Sequence, residues 1–125
     1  MRKMSDTEPR TEGMAVEPAG RPGELLGAHV STQGGPATAP GRGAAIGATA
    51  LQLFTKTPNM WREPVVTPEI AAAFKKARAE HPVGAIVSHD SYLINLASPD
   101  PDLRAKSLAA FSGELTRSQA LGLDG

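Results

Sequence analysis

Cysteine is absent from this 125-residue chain. Its absence excludes a disulfide framework, a thiolate metal site and a cysteine nucleophile. A reducing compartment is compatible with this composition, and we expect a cytoplasmic protein. Long apolar runs are also absent, and none approaches the ~20 residues that a membrane-spanning helix needs. Because no apolar segment follows Arg2 and Lys3, a secretory signal is not expected, and we predict no membrane association.

Net charge is the second feature that is missing. Thirteen basic residues balance thirteen acidic ones, so the formal charge is zero. The chain therefore lacks the overall basic character of many nucleic-acid binders, although a neutral protein can still carry a local basic cleft. The length predicts one domain, or part of one.

The first part of the chain differs in composition from the rest. Residues 1–23 are rich in Glu, Arg, Pro and Gly and contain almost no large apolar side chain. Such a stretch buries too little surface to offset its ordering entropy. We therefore predict a disordered N-terminal extension over residues 1–23 and a folded domain over residues 24–125.

Strand and helix patterns alternate along the domain. Strands are predicted near residues 25–30, 49–54 and 84–88, and the first has the continuous apolar character of a strand covered on both faces. The predicted helices are a short or distorted one near Pro40, one that begins at Thr67 and stops at Pro82, and one over residues 101–121. This order predicts a parallel α/β sheet with strand order 1-2-3 and all helices on one side.

The two longer helices each show apolar residues at helical spacing. The second helix should bury one stripe, formed by Ile70, Ala73, Phe74 and Ala77. In the third, Leu108, Phe111 and Leu115 lie on one face, with Gly113 as a weak point and Gly122 as the stop of the helix.

The segment His89–Asn95 is the most informative part of the chain. It follows a predicted strand directly, and in α/β proteins the chemistry lies where strands end. Seven residues here include an imidazole, a carboxylate, a hydroxyl, an aromatic ring and an amide. Neutral imidazole binds zinc well, so His89 is a candidate metal ligand. The alternative for a single histidine is a hydrogen-bonded loop or core residue.

Other polar residues have simpler alternatives. His29 ends the first predicted strand and is either a metal neighbour, a hydrogen-bond donor behind a metal ligand or a packing residue. His81 precedes Pro82 at a helix end and is best explained as a solvated cation. In the loop over residues 55–64, Lys56 and Arg62 are either surface charges or phosphate contacts.

Three blocks of sequence resemble the amino-terminal part of the endonuclease IV family, the zinc-dependent apurinic/apyrimidinic endonucleases. Their order and spacing match, and the resemblance covers residues 25 to 123. The third block is long and unusual, and it carries most of the resemblance. The blocks are Leu26–Ser31 with Gly34 and Gly35, Leu53–Lys56 with Trp61, and His89–Leu96.

The resemblance implies the first three βα units of a (β/α)8 TIM-type barrel. It also implies three zinc ions at the carboxyl ends of the strands and cleavage of DNA on the 5′ side of an abasic site. His89 matches a zinc-ligand position, while Tyr92 and Leu93 match residues that push into the DNA stack. The segment from Lys56 to Trp61 matches a DNA-contacting loop, in which Asn59 stands where the family often has a groove-entering arginine.

Residue-level reasoning leaves other interpretations of Trp61 and of the Tyr92–Leu93 pair. Trp61 is better explained as a packing residue than as a stacking one. Tyr92 and Leu93 are either loop anchors or wedges that unstack a duplex.

Two other functions are carried forward as alternatives. One is a sugar isomerase or epimerase with the same barrel and a single divalent metal, and the other is a truncated product without activity. The chain stops where a fourth strand would be due, so we expect residues 1–125 alone to be an inactive fragment. The full-length protein is expected to be a monomer that acts on double-stranded DNA with abasic sites.

Overall fold

Residues 16–125 are described by the structure, which is a computed structural model. The three strands are parallel and hydrogen-bonded in the order β1-β2-β3, which confirms the predicted α/β topology. Strand β2 is central, and helices connect the strands in turn. The elements are β1 (Gly27–His29), α1 (Thr38–Ala45), β2 (Ala50–Phe54), α2 (Pro68–Glu80), β3 (Ala85–His89) and α3 (Pro101–Leu121).

Helix boundaries follow the capping chemistry of the sequence. The Thr67 hydroxyl accepts a hydrogen bond from the Ile70 amide, and Asp100 does the same for the first amides of α3. Gly122 ends α3 in the left-handed conformation, with φ of 71°, which glycine adopts without a Cβ penalty. Pro40 lies in the first turn of α1, where a missing N–H costs little.

A single apolar layer joins the sheet to the helices. Leu51 and Leu53 of β2 alternate with half-buried residues and face the helices, as does Ile86 of β3. Phe74 of α2 and Leu121 of α3 fill the same core. Helix α1 packs against α2, and α2 against α3, so the helices form one layer. This is the arrangement that right-handed crossovers in the order 1-2-3 produce.

The first strand is shorter and more open than its sequence predicts. Strand β1 has three residues, all exposed, and Leu25 and Leu26 before it are exposed as well. The prediction of a strand covered on both faces is wrong, because in the described part of the chain β1 pairs with β2 along one edge and the helix layer covers one face.

The predicted buried stripe of α2 is also wrong, and the apolar face of α3 is mostly exposed. In α2 only Phe74 is buried, and Ile70 and Ala73 are exposed. In α3, Leu108 and Leu115 are 54% and 56% exposed. The inward face of α3 is largely polar and consists of Ser107, Ala110, Glu114, Arg117, Ser118 and Leu121.

Hydrogen bonds explain the orientation of α3. The Ser107 hydroxyl accepts from the Asn95 amide at 3.0 Å, and Ser118 Oγ lies 2.9 Å from Ser88 Oγ. A buried hydroxyl without a partner costs free energy, so the helix turns its hydroxyls toward the ends of the strands.

The predicted extension over residues 1–23 lies mostly outside the described residues. From residue 16 onward its last part has no helix or strand, and the Ala19 amide donates to the Gly47 carbonyl at 2.6 Å. None of the helices in residues 16–125 combines the length and the apolar character needed to cross a membrane.

Candidate metal centre and nucleic-acid interface

The candidate site lies on the sheet face opposite the helices, at the carboxyl end. In register, His29 of β1 lies beside Gln52 of β2, which lies beside Val87 of β3. Two residues further along β2, Phe54 pairs with His89. Residues two apart in a strand share a face, so the sequence-predicted histidines are brought to the same edge.

Four rings pack together at this edge. Phe54 is central, with ring-centroid distances of 4.5 Å to His29, 5.0 Å to His89 and 5.3 Å to Tyr92. The two histidine rings are 6.0 Å apart, and His89 is 5.8 Å from Tyr92. Edge-to-face contacts of this kind restrict ring orientation, so each imidazole is held by its neighbours.

Both histidines form a hydrogen bond through Nδ1. His89 Nδ1 lies 2.7 Å from the Asp90 carbonyl oxygen, and His29 Nδ1 lies 3.1 Å from Gln52 Oε1. The Asp90 carbonyl can only accept, so His89 Nδ1 donates and Nε2 is the ring nitrogen left to bind a metal, whereas the contact with the Gln52 amide does not fix the tautomer of His29. His89 thus has the arrangement that a metal-ligating histidine needs.

Asp90 is the carboxylate next to His89. Its pKa is raised, first by burial and then by the nearby Glu114 carboxylate, while His89 opposes the shift. Within residues 16–125, His, Asp and Glu do not come together in threes as a metal cluster. The described residues thus supply at most part of a metal centre.

The loop after β3 presents Tyr92 to solvent. Ser91 is buried, Tyr92 is 67% exposed, and Leu93 is half-buried. The Ser91 hydroxyl and the Tyr92 amide both donate to the Pro58 carbonyl, at 2.7 and 2.9 Å. The exposed ring of Tyr92 therefore stands on a backbone that is fixed to the neighbouring loop.

The loop after β2 supplies the other half of this surface. Asn59 and Met60 are exposed at its tip, as is Arg62. Trp61 is half-buried under Lys106, whose Nζ lies 4.4 Å from the ring centroid. The tryptophan thus packs against α3, in line with its interpretation as a loop anchor.

Lys56 does not present its charge to solvent. Its side chain is 1% exposed, and Nζ lies 2.8 Å from Glu63 Oε1. This geometry argues against a direct phosphate contact by Lys56 and leaves Arg62 as the exposed cation of the loop. His81 follows α2 in an exposed position before β3 begins, whereas His89 is at the carboxyl end of that strand.

Sequence reasoning missed a buried ionic cluster beneath the two loops. Arg117 forms salt bridges with Glu63 and with Glu114, and Glu63 forms a second salt bridge with Lys56. Burial alone would raise the pKa of Glu63, but hydrogen bonds from Lys56 and Arg117 lower it overall. The one signal of this cluster in the sequence is the i,i+3 spacing of Glu114 and Arg117 on one helix. Such spacing is common on solvated helix faces, so it does not by itself indicate burial.

Comparison with known proteins places the chain in a family. A sequence model of the xylose isomerase-like TIM barrel family matches residues 41–124. The chain belongs to this family, and its three βα units are part of such a barrel.

Two relatives narrow the relationship to endonuclease IV. The chain is 50% identical over 99 residues to a protein named probable endonuclease 4 from Halorhodospira halophila. The aligned region makes up 79% of this chain and 33% of the relative. The crystal structure of endonuclease IV from Thermus thermophilus matches this chain with a TM-score of 0.75 and 33% sequence identity. The match covers 81% of this chain and 38% of the Thermus protein. The resemblance to endonuclease IV is confirmed, and the chain spans about a third of the length of these relatives.

Proposed function

We propose that this chain forms the DNA-facing first part of a zinc-dependent DNA-repair endonuclease, which hydrolyses the phosphodiester 5′ to an abasic site. The observation that carries the proposal is the pairing of His89, with its free Nε2, and the exposed ring of Tyr92 at one strand edge. A metal ligand beside an exposed aromatic suits a site that must both open a duplex and cleave its backbone. The probable endonuclease 4 of H. halophila supports the same function.

Each site residue has a proposed role. His89 is a zinc ligand, and His29 is a neighbour that orients or extends the site. Tyr92 and Leu93 are wedges that enter the base stack at the lesion. Asn59 contacts DNA at the tip of its loop, without the charge that an arginine would bring. Lys56, which is buried against Glu63, supports this loop rather than binding phosphate.

The residues present fit zinc, although the set is partial. Two imidazoles are suitable donors, and a catalytic zinc site needs about three protein ligands. When bound, zinc supplies Lewis-acid stabilisation of the phosphate and a lowered pKa for water. The ring packing around Phe54 keeps His89 oriented toward the open face, and the Tyr92 ring covers one side of it.

Substitution of His89 tests the metal assignment. In the complete product of the gene, His89→Ala should lower zinc content and remove most incision of a duplex with one abasic site. His81→Ala is the matched control, because this exposed histidine lies at the end of α2, and it should keep both. Full zinc content and full rate in His89→Ala would show that His89 is not a ligand.

The wedge assignment is tested on the same substrate. Tyr92→Ala combined with Leu93→Ala should weaken discrimination between abasic and intact duplex while zinc stays bound.

Residues 1–125 alone should not cut, because the described donors do not complete a zinc site. Zinc bound without incision, but with conversion of a sugar, would favour the isomerase alternative. A protein with neither metal nor activity would favour the non-catalytic product.

A further inference from the structure

The buried polar face of α3 contacts both loops of the candidate interface. Ser107 binds the loop after β3, and Glu114 and Arg117 reach the end of β2. A helix that only packed on the sheet would bury apolar residues here, and this helix leaves Leu108 and Leu115 outside. Its polar face therefore has a purpose other than apolar packing.

Glu114 joins the two loops through one carboxylate. Its Oε2 accepts from the Thr55 hydroxyl at 2.5 Å, and its Oε1 accepts from the Ser91 amide at 3.3 Å. Thr55 is the first residue after β2, and Ser91 immediately precedes Tyr92. Glu114 is 1% exposed, so its charge acts on these partners rather than on solvent.

Arg117 balances that charge and fixes the far end of the loop after β2. It donates to the Thr55 hydroxyl at 2.9 Å and to Glu63, and its Nη2 lies 3.2 Å from Glu114 Oε2. Gly113 makes the approach possible, because a Cβ at this position would lie 2.6 Å from Glu63 Oε2. The predicted weak point of α3 is thus the place where the Glu63 carboxylate meets the helix.

The two loops also contact each other directly. The Pro58 carbonyl accepts from the Ser91 hydroxyl and from the Tyr92 amide. Pro58 precedes Asn59 at the loop tip. A shift of Ser91 away from Glu114 would therefore move the Tyr92 ring relative to Asn59.

We propose that Glu114 and Arg117 are positioning residues that set the spacing between Tyr92 and the Asn59 loop tip for binding an abasic duplex. This role rests on the proposed function. Neither side chain reaches the surface, so both act through Thr55, Glu63 and Ser91. Small errors in geometry at a site can cost up to about 100-fold in rate.

Amide hydrogen exchange and DNA binding together test the proposal in the complete product of the gene. In Glu114→Ala, exchange should rise at the Ser91 and Tyr92 amides but not at the β2 amides. Affinity for an abasic duplex should fall by about tenfold or more, with zinc content unchanged. Glu114→Gln keeps an oxygen for the Ser91 amide but turns an NH2 group toward Arg117, so it should recover the exchange protection at Ser91 only in part. Gln119→Ala, an exposed polar position on the same helix, is the control and should match wild type.

The outcomes separate the positioning role from a general loss of structure. If Glu114→Ala raises exchange throughout the sheet, Thr55→Val replaces it, because it removes one hydroxyl at nearly constant volume. Wild-type exchange at Ser91 and Tyr92 in these variants would overturn the proposal, as would looser loops with unchanged affinity for abasic DNA. If the wild-type protein does not bind abasic DNA, the proposed function fails, and positioning for DNA fails with it. The exchange data would then still decide whether Glu114 holds the loops.

Discussion

Helices α2 and α3 lie side by side on one sheet, yet they are held by opposite chemistry. Helix α2 buries one residue, Phe74, which belongs to the same core cluster as Leu53 and Ile86. Helix α3 buries two serines, a glutamate and an arginine along with Ala110 and Leu121, and it exposes Leu108 and Leu115. Helix α2 is thus anchored by apolar packing, whereas α3 also contacts the loops at the carboxyl ends of β2 and β3.

Removal of the apolar anchor of α2 should give the largest loss of stability. Phe74→Ala deletes a fully buried ring, and such changes cost about 3–5 kcal/mol through lost transfer energy and a cavity. The free energy of unfolding from denaturant titration measures it. Ile70→Ala on the same helix is the control, because Ile70 is exposed and surface changes stay within about 0.5 kcal/mol. Equal losses for both variants would contradict the single-anchor account of α2.

Removal of the ionic anchor of α3 should cost somewhat less. Arg117→Met keeps the length of the side chain but leaves Glu114 buried beside no cation, and loss of one partner of a buried pair costs about 3–5 kcal/mol. Glu63 is 34% exposed and can turn toward water, so we expect the lower end of that range. The same denaturant titration checks it. A stability equal to that of wild type would mean that the cluster is dispensable for folding.

The smallest effect is a dependence of stability on pH. The pKa of Glu63 is lowered from 4.5 when the chain folds, so its stabilising contribution is present above that pH and is lost as the pH falls through the folded value. Wild type should exceed Glu63→Gln in stability at neutral pH, and the part of this difference that depends on pH should be less than about 1 kcal/mol because the group is partly exposed. The difference should narrow in acid. If the difference in stability between wild type and Glu63→Gln widened as the pH falls, the pKa of Glu63 would be raised on folding rather than lowered.

Predictability from sequence differed between the backbone and the side-chain faces. Strand and helix positions, parallel order and helix caps were predictable, because Thr67, Asp100 and Gly122 act through their own local backbone. The site edge was predictable too, since His89 follows a strand directly. That His29 ends the first strand near the same edge was expected as well, whereas the distance between the two rings depends on the strand register, which local patterns do not contain.

The role of α3 was not predictable, because apolar spacing selects the wrong face. The regular spacing of a buried stripe is shown by Leu108, Phe111 and Leu115. That spacing does not determine which face of α3 is buried, because hydroxyl and amide groups near the helix need the polar face as a hydrogen-bond partner. The burial of Lys56 was not predictable for a related reason, since a lysine in a loop is usually solvated and only the tertiary structure brings Glu63 to it.

The sequence by itself determined the alternation of strands and helices, the turns between them, and the resemblance to endonuclease IV carried by His89–Leu96. These features depend on neighbouring residues, whose steric and hydrogen-bonding preferences act over a few positions. Only the tertiary structure decided which face of α3 is buried, that Lys56 is enclosed, and that one carboxylate joins two loops. Those outcomes depend on residues that are distant in the chain, since Glu114 is 23 positions from Ser91 and 59 positions from Thr55. A buried polar group must find a partner wherever the fold places one.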